Sequence, residues 1–221
     1  MEYLPLLPIL LLSVILHEMA HGWMALKLGD PTARDLGRLT LNPIPHIDPI
    51  GSILVPALSL FTAGTVFIAW AKPVPINPAN FKNLRRDDIL VSAVGPLSNL
   101  VVAAFCALFY GIVITFTGSV NTMPDGLDRD VALFFLKMFS IGITMNIFLA
   151  VFNLLPIPPL DGSHIVASLL PPAVGARYRQ IGFAGIILLL LIMRVPFVRD
   201  SILAIVQTLE IPYHLLIGLF V

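Results

Sequence analysis

Apolar residues in this chain cluster in long runs separated by charged or Pro/Gly-rich breaks: Leu4–Leu28, Ile50–Trp70, Val91–Thr117, Val131–Leu155, Ile181–Pro196 and Ile202–Val221. Several reach or approach the roughly 20 residues that carry a helix across a bilayer. In lipid the backbone must satisfy its own hydrogen bonds, so such runs are helices. The pattern predicts an all-α polytopic membrane protein of five to six transmembrane helices. Composition agrees, with 57% of residues hydrophobic and only 12% charged, against roughly 25% charged in a soluble domain. A soluble single domain is thereby excluded. Thirteen Lys+Arg offset thirteen Asp+Glu, so no charge surplus points to nucleic acid as a partner. The single cysteine, Cys106, excludes an internal disulfide framework and a multi-cysteine metal cluster. Residues 1–221 read as one membrane-embedded domain, without internal repeats or a loop long enough to fold separately. The first run lacks a basic leader region and carries Glu2 and histidines, so it reads as a mature helix rather than a signal peptide.

Loop charge sets the orientation. Lys27, Arg34 and Arg38 follow the first run; Lys72, Lys82, Arg85 and Arg86 follow the second; Arg177 and Arg179 precede the fifth. The loop after the third run is acidic, with Asp125, Asp128 and Asp130 against Arg129. By the positive-inside rule the basic loops are cytoplasmic. A full crossing by Ile50–Trp70 would put two basic loops on opposite sides. Ser52, Pro56, Ser59, Gly64 and Thr65 interrupt that run, which favours a re-entrant segment over a sixth span.

Three ionisable residues stand in the first run, in His17-Glu18-Met19-Ala20-His21. An ionisable side chain at membrane depth is a functional hypothesis by default. At about 100° per residue, His17 and His21 differ by roughly 40° in azimuth and sit one turn apart, so both imidazoles can reach one metal. Glu18 points beside that metal, as a general base should. A catalytic zinc needs a third protein ligand and an open position. Cys106 reads as a small buried apolar residue and His214 as interfacial, while His46 and Asp48 sit in a Pro-rich turn where local hydrogen bonds compete. Asp161, in Pro156-Ile157-Pro158-Pro159-Leu160-Asp161-Gly162, is favoured, with a helix N-cap as its alternative role. Topology supports it: with a re-entrant second run, the third span runs outward, the fourth returns, and Asp161 arrives at the end where His21 lies.

These residues resemble the site-2 protease family of intramembrane zinc metalloproteases. The markers are His17-Glu18-x-x-His21, Gly95-Pro96-Leu97-Ser98-Asn99 in a later span, and Asn153 to Gly162 with its Leu-Asp-Gly ending. The resemblance implies one Zn²⁺ per chain held by His17, His21 and Asp161, Glu18 as catalytic acid/base, and Asn153 assisting near the oxyanion. It is to compact members, without PDZ or CBS domains. It also implies a small membrane-associated β-region, for which Leu39-Thr40-Leu41 and Pro73-Val74-Pro75-Ile76 are candidates able to pair with an unwound substrate. Asn146 reads as a second polar contact or as interhelical glue, and His164 as a neighbour of the metal site or an interfacial side chain.

The expected activity is endopeptidase cleavage within or near transmembrane segments of membrane proteins, in the plasma membrane of a prokaryote, with the site nearer the cytoplasmic side. The alternatives are a non-enzymatic membrane metal transporter or sensor, which would not need Glu18 beside two ligating histidines, and a catalytically silent helix-binding homologue.

Overall fold

The computed structural model describes residues 5–54, 71–118, 123–182 and 184–220. Among them the chain is helical: α1 (Leu6–Lys27), a single turn α2 (Thr32–Asp35), α3 (Leu84–Thr117), α4 (Leu127–Asn153), α5 (Asp161–Leu169), α6 (Pro172–Arg179), α7 (Ala184–Ile192) and α8 (Pro196–Ile217). Local chemistry sets the helix ends that matter for the site. Leu28 closes α1, and Gly29 follows at φ 109°, a conformation glycine adopts without a Cβ penalty. Asn83 starts α3 reciprocally: its side chain accepts from Arg86 N–H at 3.2 Å, and the Asp87 carboxylate accepts from Asn83 N–H at 2.9 Å. The run through Pro156, Pro158 and Pro159 cannot continue α4, and the chain turns back into α5.

Among the described residues three helices are long and apolar enough to cross a membrane: α1 with 22 residues, α3 with 34 and α4 with 27. They pack as an up-down-up trio. Ile9 and Cys106 meet at Gly142, where an added Cβ would sit 2.7 Å from Cys106 Sγ and 2.9 Å from Ile9 Cγ1. One end away, His21 of α1 bonds the Val91 carbonyl of α3 at 2.7 Å. So α3 runs against α1, and α4 runs with it. Their shared core holds Ile9, Val102, Ala103, Cys106, Ile143 and Ile147, which confirms Cys106 as a packing residue. Val206 of α8 joins this core, and Tyr213 donates to Leu100 O at 3.1 Å.

The tail departs from one span per run. Ile181–Pro196 was expected to cross, but its helix α7 has 9 residues, about 13 Å of rise. Counted together, α6 and α7 would make a fourth crossing, bent by 80°. Helix α8 carries Arg199, Asp200 and Glu210 and is not among the three candidate spans. Most of the run Ile50–Trp70 falls on residues 55–70, outside the described residues. Its flanks are described: Lys72 N–H donates to His46 O at 2.9 Å, so the two ends meet.

The expected β-region is corrected: no strand forms among the described residues. The reason lies in where the backbone groups go. Pro73 and Pro75 have no N–H to offer. Lys72 N–H is given to His46, Val74 N–H to Glu18 Oε2 at 2.7 Å, and Arg38 Nη2 occupies the carbonyls of Lys72 and Pro73 at 2.8 and 3.3 Å. With those groups taken, the segment from Lys72 to Val74 forms no ladder.

Candidate metal centre

His17 and His21 lie on the same face of α1, one turn apart, with ring centroids 4.7 Å apart and nearly perpendicular planes. Both are buried, at 8% and 7% exposure. Gly95 of α3 makes room for them: an added Cβ would overlap the His21 ring and lie 2.8 Å from His17 Cε1. Asp161 comes from the other direction as the first residue of α5. A Cβ on Gly162 would overlap the carbonyls of Leu154 and Leu155, so the glycine lets α5 start against the end of α4. Leu160 occupies the cap position, which leaves the Asp161 carboxylate free of the N-cap role.

That carboxylate reaches both imidazoles: Oδ2 lies 3.2 Å from His17 Nε2, and Oδ1 lies 3.4 Å from His21 Nε2. The two Nε2 atoms are 3.1 Å apart. One ligand atom from each residue falls within 4.8 Å of the others, a grouping that no other three His, Cys, Asp or Glu make among the described residues. What sits between them follows from the far side of each ring. His21 Nδ1 faces the carbonyl of Val91, which can only accept, so in the neutral ring Nδ1 carries the proton and Nε2 the lone pair. His17 Nδ1 lies 2.5 Å from Asn99 Oδ1, with the same consequence. Two imidazole lone pairs and a carboxylate thus face one another, and Asp161 Oδ2 is buried without a hydrogen bond. One shared proton would serve one pair of the three; a divalent cation serves all of them. Two imidazoles and a carboxylate form a donor set that suits zinc with a fourth position left open.

Glu18 follows His17 on α1 and points elsewhere. Its Oε2 accepts from Val74 N–H at 2.7 Å, which holds the carboxylate between α1 and the pinned segment at Lys72 to Val74. Asn153, the last residue of α4, donates from Nδ2 to Leu149 O at 3.0 Å, the helix-terminal use of an amide near prolines. The other candidates lie apart from the donor set. His46 bonds Thr40 O at 2.9 Å, Asp48 Oδ1 accepts from Ile50 and Gly51 N–H at 2.9 and 2.6 Å, and His164 is 3.9 Å from Asp88. His214 is exposed near the end of α8.

Three contributors escaped sequence reasoning. Asn99 closes the marker Gly95-Pro96-Leu97-Ser98-Asn99 and orients His17; its signal was an amide inside an apolar run, which must find a partner. Val91 and Val74 act through main-chain atoms, which leave no trace in residue type.

A helical chain that crosses the membrane and brings a His-Glu-x-x-His helix against a later carboxylate is, as a class, a membrane metallopeptidase. This chain belongs to peptidase family M50, which residues 73–193 match. That stretch contains Gly95–Asn99 and Asp161; His17, Glu18 and His21 precede it. "Putative zinc metalloprotease YwhC" of Bacillus subtilis is 41% identical over 199 residues, covering 87% of this chain and 83% of that protein. "Putative zinc metalloprotease Rip2" of Mycolicibacterium smegmatis is 30% identical over 184 residues, or 82% of this chain and 64% of that one, so the chain spans less than two thirds of this longer relative. No solved structure matches.

Proposed function

We propose that the chain is an intramembrane zinc endopeptidase that hydrolyses peptide bonds within or near transmembrane segments of membrane proteins, with one Zn²⁺ held by His17, His21 and Asp161. The observation that carries this reading is the meeting of two imidazole Nε2 atoms, from the helix that also bears Glu18, with the Asp161 carboxylate at one point. Both relatives are named zinc metalloproteases, which supports zinc as the ion. Zinc bound there supplies a Lewis acid and lowers the pKa of its water towards about 7. Glu18 accepts the proton of the attacking water and returns it to the departing amine. The Val74 N–H holds the Glu18 carboxylate in place for that transfer. Asn153, turned from Leu149 O, donates to the developing oxyanion, a contribution of roughly 3 kcal/mol. A helical substrate hides its carbonyls in its own hydrogen bonds and must unwind locally before attack.

The same proposal extends to topology: a multi-pass protein of the plasma membrane of a prokaryote, with the site towards the cytoplasm. Lys27, Arg38, Lys72, Arg85 and Arg86 lie at the end of the bundle where α1 finishes and α3 begins, and Arg179 reaches Asp88 there at 2.8 Å. Asp125, Asp128 and Asp130 sit at the opposite end. The charge asymmetry supports a cytoplasmic site, and Lys72 N–H meets His46 O at that same end.

Glu18→Gln is the test. The variant should keep about one zinc per chain, and cleavage of a model transmembrane substrate should fall by at least about 100-fold. A wild-type protein that holds zinc, conducts it across vesicles and cuts no such substrate would overturn the endopeptidase reading in favour of a transporter.

A further inference from the structure

Asn99 does not act on His17 alone. Its Nδ2 donates to Asn146 Oδ1 at 2.9 Å, and Asn146 Nδ2 donates to Ser13 Oγ at 2.9 Å and to Gly142 O at 2.8 Å. Ser13 Oγ in turn donates to Ile9 O at 2.6 Å. Ser13, Asn99 and Asn146 are each 0% exposed, so no bulk water competes for these groups. The direction of the chain is forced from its far end. The carbonyls of Ile9 and Gly142 only accept. Asn146 must therefore turn its NH₂ to Gly142 and Ser13, which leaves Oδ1 for Asn99. Asn99 must then spend its NH₂ on Asn146, which leaves Oδ1 for His17.

We propose that Ser13, Asn146 and Asn99 form a directional relay across α1, α4 and α3 that fixes the tautomer of His17, keeping Nδ1 protonated and Nε2 bare towards Asp161. Resting on the metal-centre reading above, it makes Asn99 and Asn146 positioning residues for metal binding. Asn146 does so without touching His17. A neutral imidazole has two tautomers, and the one protonated at Nε2 would point a hydrogen at the metal position. An asparagine contact alone would not choose between them, because its amide can rotate and offer either group. The main-chain carbonyls at Gly142 and Ile9 remove that freedom.

The tautomer can be read by ¹⁵N NMR of histidine-labelled, metal-free protein in micelles, with the His17 signals assigned by their loss in His17→Ala. Wild type should show a single population protonated at Nδ1. In Asn146→Ala the Asn99 amide loses the acceptor that orders it, so the Nε2-protonated form should appear in comparable amount and zinc affinity should fall by about 10-fold. Adding Asn99→Asp to Asn146→Ala should restore the Nδ1 form, because a carboxylate only accepts. The double variant has lost more native contacts than the single one, so this recovery separates proton ordering from packing. Ser13→Ala should leave the tautomer unchanged, since Gly142 O still orients Asn146.

A single Nδ1 population persisting in folded Asn146→Ala would overturn the relay, and so would failure of Asn99→Asp to restore it. If Asn146→Ala does not fold, Asn99→Leu keeps the test, since it fills the space and offers His17 no acceptor; persistence of the Nδ1 form there would be equally fatal. A tautomer shift with no change in zinc affinity in any variant would count against the metal-centre reading instead.

Discussion

Two carboxylates, one buried and one half-buried, flank the end of α1, and they differ in what surrounds their oxygens. Asp30, three residues beyond the helix, is 0% exposed. Its Oδ1 accepts from Thr32 N–H at 3.1 Å, Thr32 Oγ1 at 2.5 Å and Asn80 Nδ2 at 2.7 Å, and its Oδ2 accepts from Asn77 N–H at 2.7 Å. Asp161 keeps 20% of its side chain exposed and has no hydrogen bond to Oδ2, which lies 3.2 Å from His17 Nε2. The difference that matters is less the burial than the proton matching. A carboxylate whose lone pairs are all met by donors ties together the chain around it. One set against other lone pairs is waiting for a cation.

Exchanging the two losses is the strongest way to break this comparison. Asp161→Ala should lower zinc affinity by more than the 10- to 100-fold typical of groups that only support ligands, and cleavage should vanish with it. Metal-free Asp161→Ala should unfold at the same temperature as wild type or higher, because the substitution relieves opposed lone pairs. Asp30→Ala should behave in the opposite way. It strands three N–H donors and a hydroxyl, and should cost about 3 kcal/mol of stability, read by thermal unfolding in micelles, while the folded fraction binds zinc and cleaves as wild type does. Equal destabilisation of the metal-free protein by both changes would erase the distinction.

Gly22→Ala probes the ground between them. Its Cβ would lie 2.6 Å from Leu39 Cδ2 and 2.9 Å from Val74 Cγ1, so α1 would press on the segment that holds Glu18. The expected cost is about 1 to 2 kcal/mol of stability. Cleavage should fall with zinc retained, since Val74 moves and the three metal donors do not. Loss of zinc in Gly22→Ala would mean that the segment from Lys72 supports the donors as well as Glu18.

What was legible in the sequence was whatever a short period or a loop charge could encode. His17, Glu18 and His21 were readable because helical spacing alone brings them together. Asp161, 140 residues beyond His21, was reachable because the basic loops placed the start of α1's exit, the start of α3 and the end of α4 at one side, and the packing of those helices bears that out. Pro73 to Ile76 reads as a strand able to pair with an unwound substrate because its residue types suit one. Nothing in those types says that Glu18 and Arg38 consume its hydrogen bonds. The tail misled in a similar way: hydropathy treats Ile181–Pro196 as one run, whereas its helix α7 covers only Ala184–Ile192.

The smallest effect concerns pH, and its sign tests the Asp30 half of the comparison. Burial pushes the Asp30 carboxyl up, but the hydrogen bonds from Thr32, Asn77 and Asn80 outweigh it and hold the pKa below the usual carboxylate range. A group whose folded pKa is depressed stabilises the protein fully above its unfolded value, about 3.9 for Asp, and that stabilisation is lost as pH falls through the folded value. The stability gap between wild type and Asp30→Asn should therefore stay constant from neutral pH down to about pH 5. Below about pH 4 it should narrow as the wild-type carboxylate takes up its proton. Both proteins are compared in chelator, so that acid release of zinc does not enter. A gap that closed between pH 7 and 5 would assign Asp30 a raised pKa and undo the account of a carboxylate whose donors are all in place.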